Sequence, residues 1–446
     1  MSSELLAPLD LAFWHLESEG HPMHLGALAC FAPAPGGQSG EGVLDLLATR
    51  AAAIRRLRMQ VRDVLLPVGG AAWSVAKDFD VRRHVHQIRI PDGDFAAGAV
   101  AIAGELMERP LERGLPPWEM YLLTGEAGGP FAVLVKLHHA LADGMRAVAI
   151  GAGIFDEIAD ARTVGARRAR AVQPTSWLSG TRQVAGFARG RIEELGRAVG
   201  VGASVVRASR LDPRGVPALS AGSSGTRRLG TAVLDLDDVQ RVRRAAGGTA
   251  NDVLLAVVAG GLRRWLESRG EPLPDVGPRA LVPVSRRRPG SPPGSGNKFS
   301  AYLLELPVGD PDPRSRMDRV RAAMDRNKAA GPSRGAGALT VLADQLPPLA
   351  HRFGAPLAGG AARMLFDVLV TSVPLPRSAL SLGGCPLREI YPMAPLARGQ
   401  SLAIALSTYG GRVHVGLVAD GKAVPDLDRL ARSLGEELDE LLALSR

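Results

Sequence analysis

The sequence predicts an α/β chain built as two similar-sized lobes, each a mixed sheet flanked by helices. Three observations lead there. The chain has 446 residues, 46% of them hydrophobic, which is material for more than one packed core. Segments with helical spacing of apolar residues alternate with short strand-like runs along the whole length. Near the middle, DPRGVPALSAGSSG is rich in Pro, Gly and Ser and reads as a linker. The expected division is residues 1–161 as a first lobe, 162–225 as a basic amphipathic segment with linker, and 226–446 as a second lobe.

The elements follow in order. Glu41–Val61 spaces its apolar residues as a helix, with arginines on the other side. Asp80–Ile90 is expected as a strand from Val85 and the alternating Ile88 and Ile90. FAAGAVAIAGELMERPL is a helix ended by Pro110. WEMYLL and FAVLVKL are two strands joined by the Gly-rich turn TGEAGGP, and the second runs straight into His138–His139. After Gly144, MRAVAIGAGIFDEIAD resumes helical spacing. In the second half RLGTAVLDL is a strand, and Asp237 is the expected N-cap of the helix after it. TANDVLLAVVAGGLRRWLESRG is a capped, largely buried helix, and VPDLDRLARSLGEELDELLAL closes the chain as an amphipathic one.

Formal net charge is +9, and its placement is uneven. Between Arg162 and Arg214 stand eleven arginines against three acids. Such a patch attracts phosphates on lipid head groups, coenzyme A or nucleic acid, and a solvated linker accounts for it as well. Aromatic residues are only 4%, and no nucleic-acid motif is present, which argues against a nucleic-acid partner. Cys30 and Cys385 form no CxxC pattern, which argues against a disulfide framework or a cysteine-based zinc site. MSSELLAPLD does not read as a signal peptide. The best apolar run, VLLAVVAGGL, is too short to span a bilayer and is followed by Arg263 and Arg264. The expectation is a cytoplasmic, non-integral protein, with peripheral membrane contact left open.

KLHHALADGM is the segment that invites chemistry. A strand, a short turn and a helix make a good platform for a reactive side chain. Neighbours in extended chain point to opposite sides, so His138 and His139 make a poor two-histidine chelate. No metal-ligand spacing such as H-E-x-x-H is present. One imidazole, titrating near neutrality, can take a proton from a hydroxyl and hand it on. Asp143 can pair with an arginine to hold the loop, and Gly144 lets a substrate approach closely. On pattern alone, satisfied core histidines and an acid/base centre both remain open. No G-x-S-x-G elbow, Walker loop or dinucleotide fingerprint competes, which favours direct transfer over a covalent intermediate.

HHALADG resembles the HHxxxDG signature of the coenzyme-A-dependent acyltransferase superfamily. The surrounding segments are similar to the bacterial wax ester synthase/diacylglycerol acyltransferase family. They are LAPLDLAFWHLESEGHPMHLGAL, PPWEMYLL, TANDVLLAVVAGGLRRWL, LVPVSRR with a following GN, and the C-terminal YPMAPLARGQSLAIALSTYGGRVHVGLVAD and VPDLDRL. They cover nearly the whole chain in the family's order. The resemblance implies a chloramphenicol-acetyltransferase-like fold with the active site between the lobes. It implies His139 as general base, His138 as its supporting neighbour, Asp143 as the structural aspartate and Gly144 as the end of the motif. Pro116, Trp118 and Glu119 match a second motif, and Asn251 and Asp252 a third; both are implied to shape the site. Two departures are visible. Pro117 stands where leucine is usual, and VTSVPLP (Val370–Pro376) replaces a segment closer to V-S-N-V-P-G-P, which bears on the crossover between lobes and on the acyl path.

The implied reaction moves a long-chain acyl group from acyl-CoA, a co-substrate rather than a resident cofactor, to diacylglycerol or a long-chain alcohol. Asn297 and the hydroxyls of TSV (Thr371 and Ser372) are candidate oxyanion donors. The implied setting is the inner membrane or a lipid droplet, approached from the cytoplasm. Two other readings stand beside this one: acylation of a natural-product or polyketide alcohol, and a non-catalytic lipid-surface binding protein.

Overall fold

The computed structural model describes residues 4–38, 40–142, 144–159, 216–221, 223–285, 299–330, 351–352 and 364–445. Asp143, Asn297 and the basic 162–214 segment lie outside the described residues.

The first half runs β1 (Glu4–Leu5), α1 (Pro8–Leu16), β2 (His24–Phe31), α2 (Glu41–Ala53), β3 (Met59–Asp63), β4 (Ala71–Val75), β5 (Val85–Arg89), α3 (Phe95–Glu108), β6 (Trp118–Thr124), β7 (Phe131–His138) and α4 (Gly144–Gly151). The second half runs β8 (Arg227–Asp235), α5 (Leu236–Ala246), α6 (Ala250–Ser268), β9 (Arg279–Ser285), β10 (Phe299–Glu305), α7 (Pro313–Ala330), β11 (Val368–Pro374), β12 (Ser381–Leu382), β13 (Cys385–Met393), β14 (Leu402–Tyr409), β15 (Arg412–Asp420) and α8 (Leu427–Ala443). The expected α/β alternation is present in both halves.

Two six-stranded mixed sheets form the lobes. One has the order β12-β13-β2-β7-β6-β5 and the other β10-β9-β11-β14-β15-β8; β1, β4 and β3 make a small third sheet. β7 is buried at every position, so its near-continuous apolar run is the pattern of a strand covered on both faces. The first sheet also takes β12 and β13 from the second half of the chain. β13 pairs antiparallel with β2, from Leu387 opposite Phe31 to Met393 opposite Gly26. A strand lent across the lobes cannot be seen in a linear pattern, because pairing partners leave no local trace. Gly416 of β15 is what lets it pass, since a Cβ there would sit 1.9 Å from the Pro392 carbonyl oxygen.

Local signals explain most helix starts. Asp94 caps α3 by accepting from the Ala96 and Ala97 N–H groups. Thr249 and Asp252 close a reciprocal capping box at α6. The cap of α5 is Asp235, which accepts from the Asp237 and Asp238 N–H groups, so the expected cap at Asp237 is displaced by two residues. The strand ends at Asp235 with no intervening loop, and the first aspartate of the run takes the cap. No single helix among the described residues is long and apolar enough to cross a membrane.

The second lobe carries a buried ion pair between α7 and α8. Arg316 Nη2 donates to Glu437 Oε1 at 2.6 Å, with the two side chains 2% and 0% exposed. Gly260 of α6 makes the room, because a Cβ there would lie 1.9 Å from the Glu437 carboxyl carbon. Removing one member strands the other without water. Glu437→Ala should therefore cost about 3–5 kcal/mol of stability, read from urea unfolding.

Candidate active site

The double histidine sits where β7 leaves its sheet. β2 and β7 pair antiparallel, with His24 opposite His138 and Leu25 opposite Leu137. Two main-chain bonds then hold the exit. The His138 N–H donates to the Pro117 carbonyl at 3.0 Å, and the His139 N–H to the Met23 carbonyl at 2.8 Å. The two rings go to different surroundings, as neighbours in extended chain must. His138 turns into the lobe and is 1% exposed, whereas His139 lines the cleft between the sheets.

His138 is a fixed, neutral ring. The Ala140 N–H donates to its Nδ1 at 3.0 Å, which makes Nδ1 the acceptor and assigns the ring proton to Nε2. Nε2 faces Glu17 Oε1 at 3.5 Å, and His24 Nε2 faces the same oxygen at 3.3 Å. Burial pushes the His138 imidazole down to about 3, overriding the Glu17 charge. Burial pushes the Glu17 carboxyl up, yet the neighbouring His24 and Arg113 hold it at about 2. Arg113 pairs with Glu17 and lays its guanidinium 3.9 Å from the Trp14 ring centroid. Trp14 in turn meets His138 edge-on at 5.0 Å.

His139 faces the cleft. Phe13 stacks on it at 3.9 Å between centroids and 18° between planes. The cavity that it lines measures about 280 Å³. The walls come from β2, β7 and β13 of one sheet, from β11 and β14 of the other, and from α4. Among the described lining residues His139 is the one titratable side chain; Thr371, Ser372 and Ser407 supply hydroxyls and the rest are apolar or glycine. The departing segment VTSVPLP contributes Thr371 to Pro376 to this wall.

The second motif braces the first. Pro116 is buried, and its carbonyl accepts from the Trp118 N–H at 2.9 Å. Trp118 lies opposite Leu137, donates its indole N–H to the Leu57 carbonyl at 2.6 Å and stacks on His84 at 4.6 Å. Glu119 lies opposite Lys136, 3.4 Å from its ammonium, and accepts from the Tyr121 hydroxyl at 2.7 Å. Lys136 is wholly buried and donates to the Leu106 and Arg109 carbonyls, tying β7 to the C-terminal end of α3. None of these side chains reaches the cavity.

The structure does not bring the third motif to the cavity wall. Asn251 and Asp252 stand in the first turn of α6, where the Asp252 carboxylate accepts from the Thr249 N–H at 2.8 Å and lies 3.8 Å from Lys328. Gly144 begins α4, whose Ala147, Val148 and Gly151 line the cleft. No group of three or more His, Cys, Asp or Glu among the described residues is arranged to hold a metal ion. Sequence reasoning did not single out Phe13, Trp14, Glu17, His24 or Arg113. Four of them fall inside LAPLDLAFWHLESEGHPMHLGAL, but the pattern alone does not say which of Glu17 and Glu19, or of His15, His21 and His24, faces the double histidine.

Comparison with known proteins accounts for the whole chain. A family model described as the wax ester synthase/diacylglycerol acyltransferase catalytic domain matches residues 6–254, and one described as the WS/DGAT C-terminal domain matches residues 295–442. A Mycobacterium tuberculosis protein named as a probable diacylglycerol O-acyltransferase is 31% identical over 461 residues, covering 99% of this chain and 96% of its own. A second M. tuberculosis protein named in the same way is 30% identical over 460 residues, covering 98% of each. The fold is that of a solved wax ester synthase/diacylglycerol acyltransferase from Marinobacter aquaeolei, with TM-score 0.72, 24% identity and 99% of each chain covered. It is shared with the first condensation domain of the CDA synthetase, at TM-score 0.61 and 16% identity over 100% of this chain and 96% of that one. The two-lobed architecture implied by the double-histidine motif is therefore the one adopted, and the chain belongs to the wax ester synthase/diacylglycerol acyltransferase family.

Proposed function

We propose that this enzyme transfers a long-chain acyl group from acyl-CoA to the hydroxyl of diacylglycerol, of a long-chain alcohol, or of both, with His139 as general base. One observation carries the reading. Among the described lining residues the His139 imidazole is the one titratable group, in a cleft between two lobes that is apolar apart from three hydroxyls, which suits a proton transfer among lipid chains. The acceptor hydroxyl gives its proton to the His139 ring as its oxygen attacks the thioester carbonyl. The resulting imidazolium protonates the departing thiolate, and no covalent enzyme intermediate is needed. Thr371 and Ser372, on the same wall, are the candidate donors to the developing oxyanion. His138 does not share the base role, because its Nδ1 is occupied, its ring is buried and its low pKa keeps it neutral. Its part is to hold the turn against Glu17.

The setting proposed is a cytoplasmic membrane or lipid-droplet surface. An acceptor with long apolar chains resides there, and eleven arginines against three acids between Arg162 and Arg214 favour an anionic surface.

Three measurements check these statements. His139→Ala should lower thiol release from palmitoyl-CoA, with diacylglycerol or hexadecanol as acceptor, by about 10²-fold or more while leaving the melting temperature unchanged; near-parental turnover overturns the assignment. Glu17→Gln removes the charge that His138 faces and should lower kcat by about tenfold with KM little changed; an unchanged kcat denies Glu17 a positioning role. Co-sedimentation with anionic vesicles should weaken as salt rises, and binding indifferent to both salt and lipid charge excludes an electrostatic surface role.

A further inference from the structure

The two most exposed large apolar side chains among the described residues are neighbours. Leu65 is 93% and Leu66 80% exposed, and Val68, two positions on, is 59% exposed. All three stand in the connection between β3 and β4, beyond the ends of both strands. None of the three belongs to the buried cores of the lobes. A soluble protein gains nothing from showing such a tip to water.

The surroundings of the tip select its partner. Arg55, Arg58 and Arg62 are exposed on the turn and strand that lead into it, and Asp63 is the only acid from Arg55 to Gly70. Apolar side chains at an exposed tip with Arg62 just behind them, and Arg55 and Arg58 at the far end of β3, match a bilayer surface, where acyl chains lie beneath anionic phosphates. The tip is also tied to the catalytic lobe. His15 Nε2 lies 3.3 Å from the Gly69 carbonyl oxygen, and α1, which carries His15, also carries the Phe13 that stacks on His139. Residues two apart on a helix point to nearly opposite faces, so α1 lies between the base of this connection and the His139 ring.

We propose that the Asp63–Gly70 hairpin is a lipid-surface contact, with Leu65, Leu66 and Val68 entering the headgroup–acyl boundary and Arg62 meeting anionic head groups. This deepens the surface setting proposed above and rests on it for the source of the acceptor. It assigns the contact to a different part of the chain from the basic 162–214 segment.

The test uses the full chain, the double variant Leu65→Ser/Leu66→Ser and the single variant Val68→Ser. Partition is measured by co-sedimentation with phosphatidylcholine/phosphatidylglycerol vesicles. Turnover is measured on a soluble short-chain alcohol and on diacylglycerol held in the same vesicles. The double variant should lose about tenfold or more in partition and a similar factor in turnover on vesicle-borne acceptor, with soluble-alcohol turnover intact. Val68→Ser should move the same way by less. Should the double variant also lose soluble-alcohol turnover, Val68→Ser decides, by its partition at intact turnover. Parental partition in both variants overturns the proposal. So does a parent that sediments as a dimer and a double variant that is monomeric with unchanged vesicle binding, which makes the tip a contact between copies. Loss of partition in an enzyme that acylates no acceptor would sink the acyl-transfer reading and leave the lipid contact standing.

Discussion

The register between β2 and β7 is the constraint on which the chemistry of this protein depends. Side chains alternate along a strand, so a slip of one residue would exchange the places of the two histidines. His138 would then face the cleft, and His139 would meet Glu17. The slip is prevented on several levels. The strand is buried at every position, so either face would have to bury the wrong residues. Lys136 is anchored to the end of α3, and the main chain at the exit is bonded to Pro117 and Met23.

Buried polar groups around the double histidine serve that same register. A carboxylate and two imidazoles are buried in one corner of the first lobe, with the half-exposed Arg113 guanidinium and the Trp14 indole at its edge; His24 and Arg113 keep the carboxylate charged, and burial keeps the His138 ring neutral. Taking ionic groups out of water is costly unless they are paired, so such a corner is a poor source of stability. Its value lies in direction. It holds the ring of His138 in one tautomer and the turn after β7 in one shape. The His139 ring sits against an aromatic face and a nearly apolar wall, where a fixed hydroxyl or imidazole dipole acts more strongly than in water.

The two lobes are joined by exchange as well as by contact. β13 lies in the first sheet yet crosses β15 of the second through the gap left by Gly416. α3 packs directly on β8, where a Cβ on Gly104 would come within 3.2 Å of the Leu229 amide, and the Arg227 N–H donates to Glu108 at 2.7 Å. A cleft framed in this way keeps its walls together. The segment Val370 to Pro376 stands at both places, since Val370 to Pro374 pair with β14 inside the second sheet and Thr371 to Pro376 line the cleft.

What could be read from the residues alone was most of what has a local cause, although the helix expected over Glu41–Val61 ends at Ala53 and gives way to β3 at Met59, and the strand expected from Asp80 starts at Val85. Helical and strand periodicity placed α3, β6, β7 and α6, the cap expected at Asp237 lay within two residues of Asp235, and HHALADG marked the turn at the cleft. Alternation along extended chain also required the two histidines to face different surroundings. What the tertiary structure decided was which histidine faces the cleft, which glutamate and which distant arginine attend the other, and that a late strand crosses into the first sheet. Those outcomes depend on pairing between segments far apart in sequence. A one-dimensional pattern records the period of a strand but not its partner, and the partner sets which side of the chain meets the substrate.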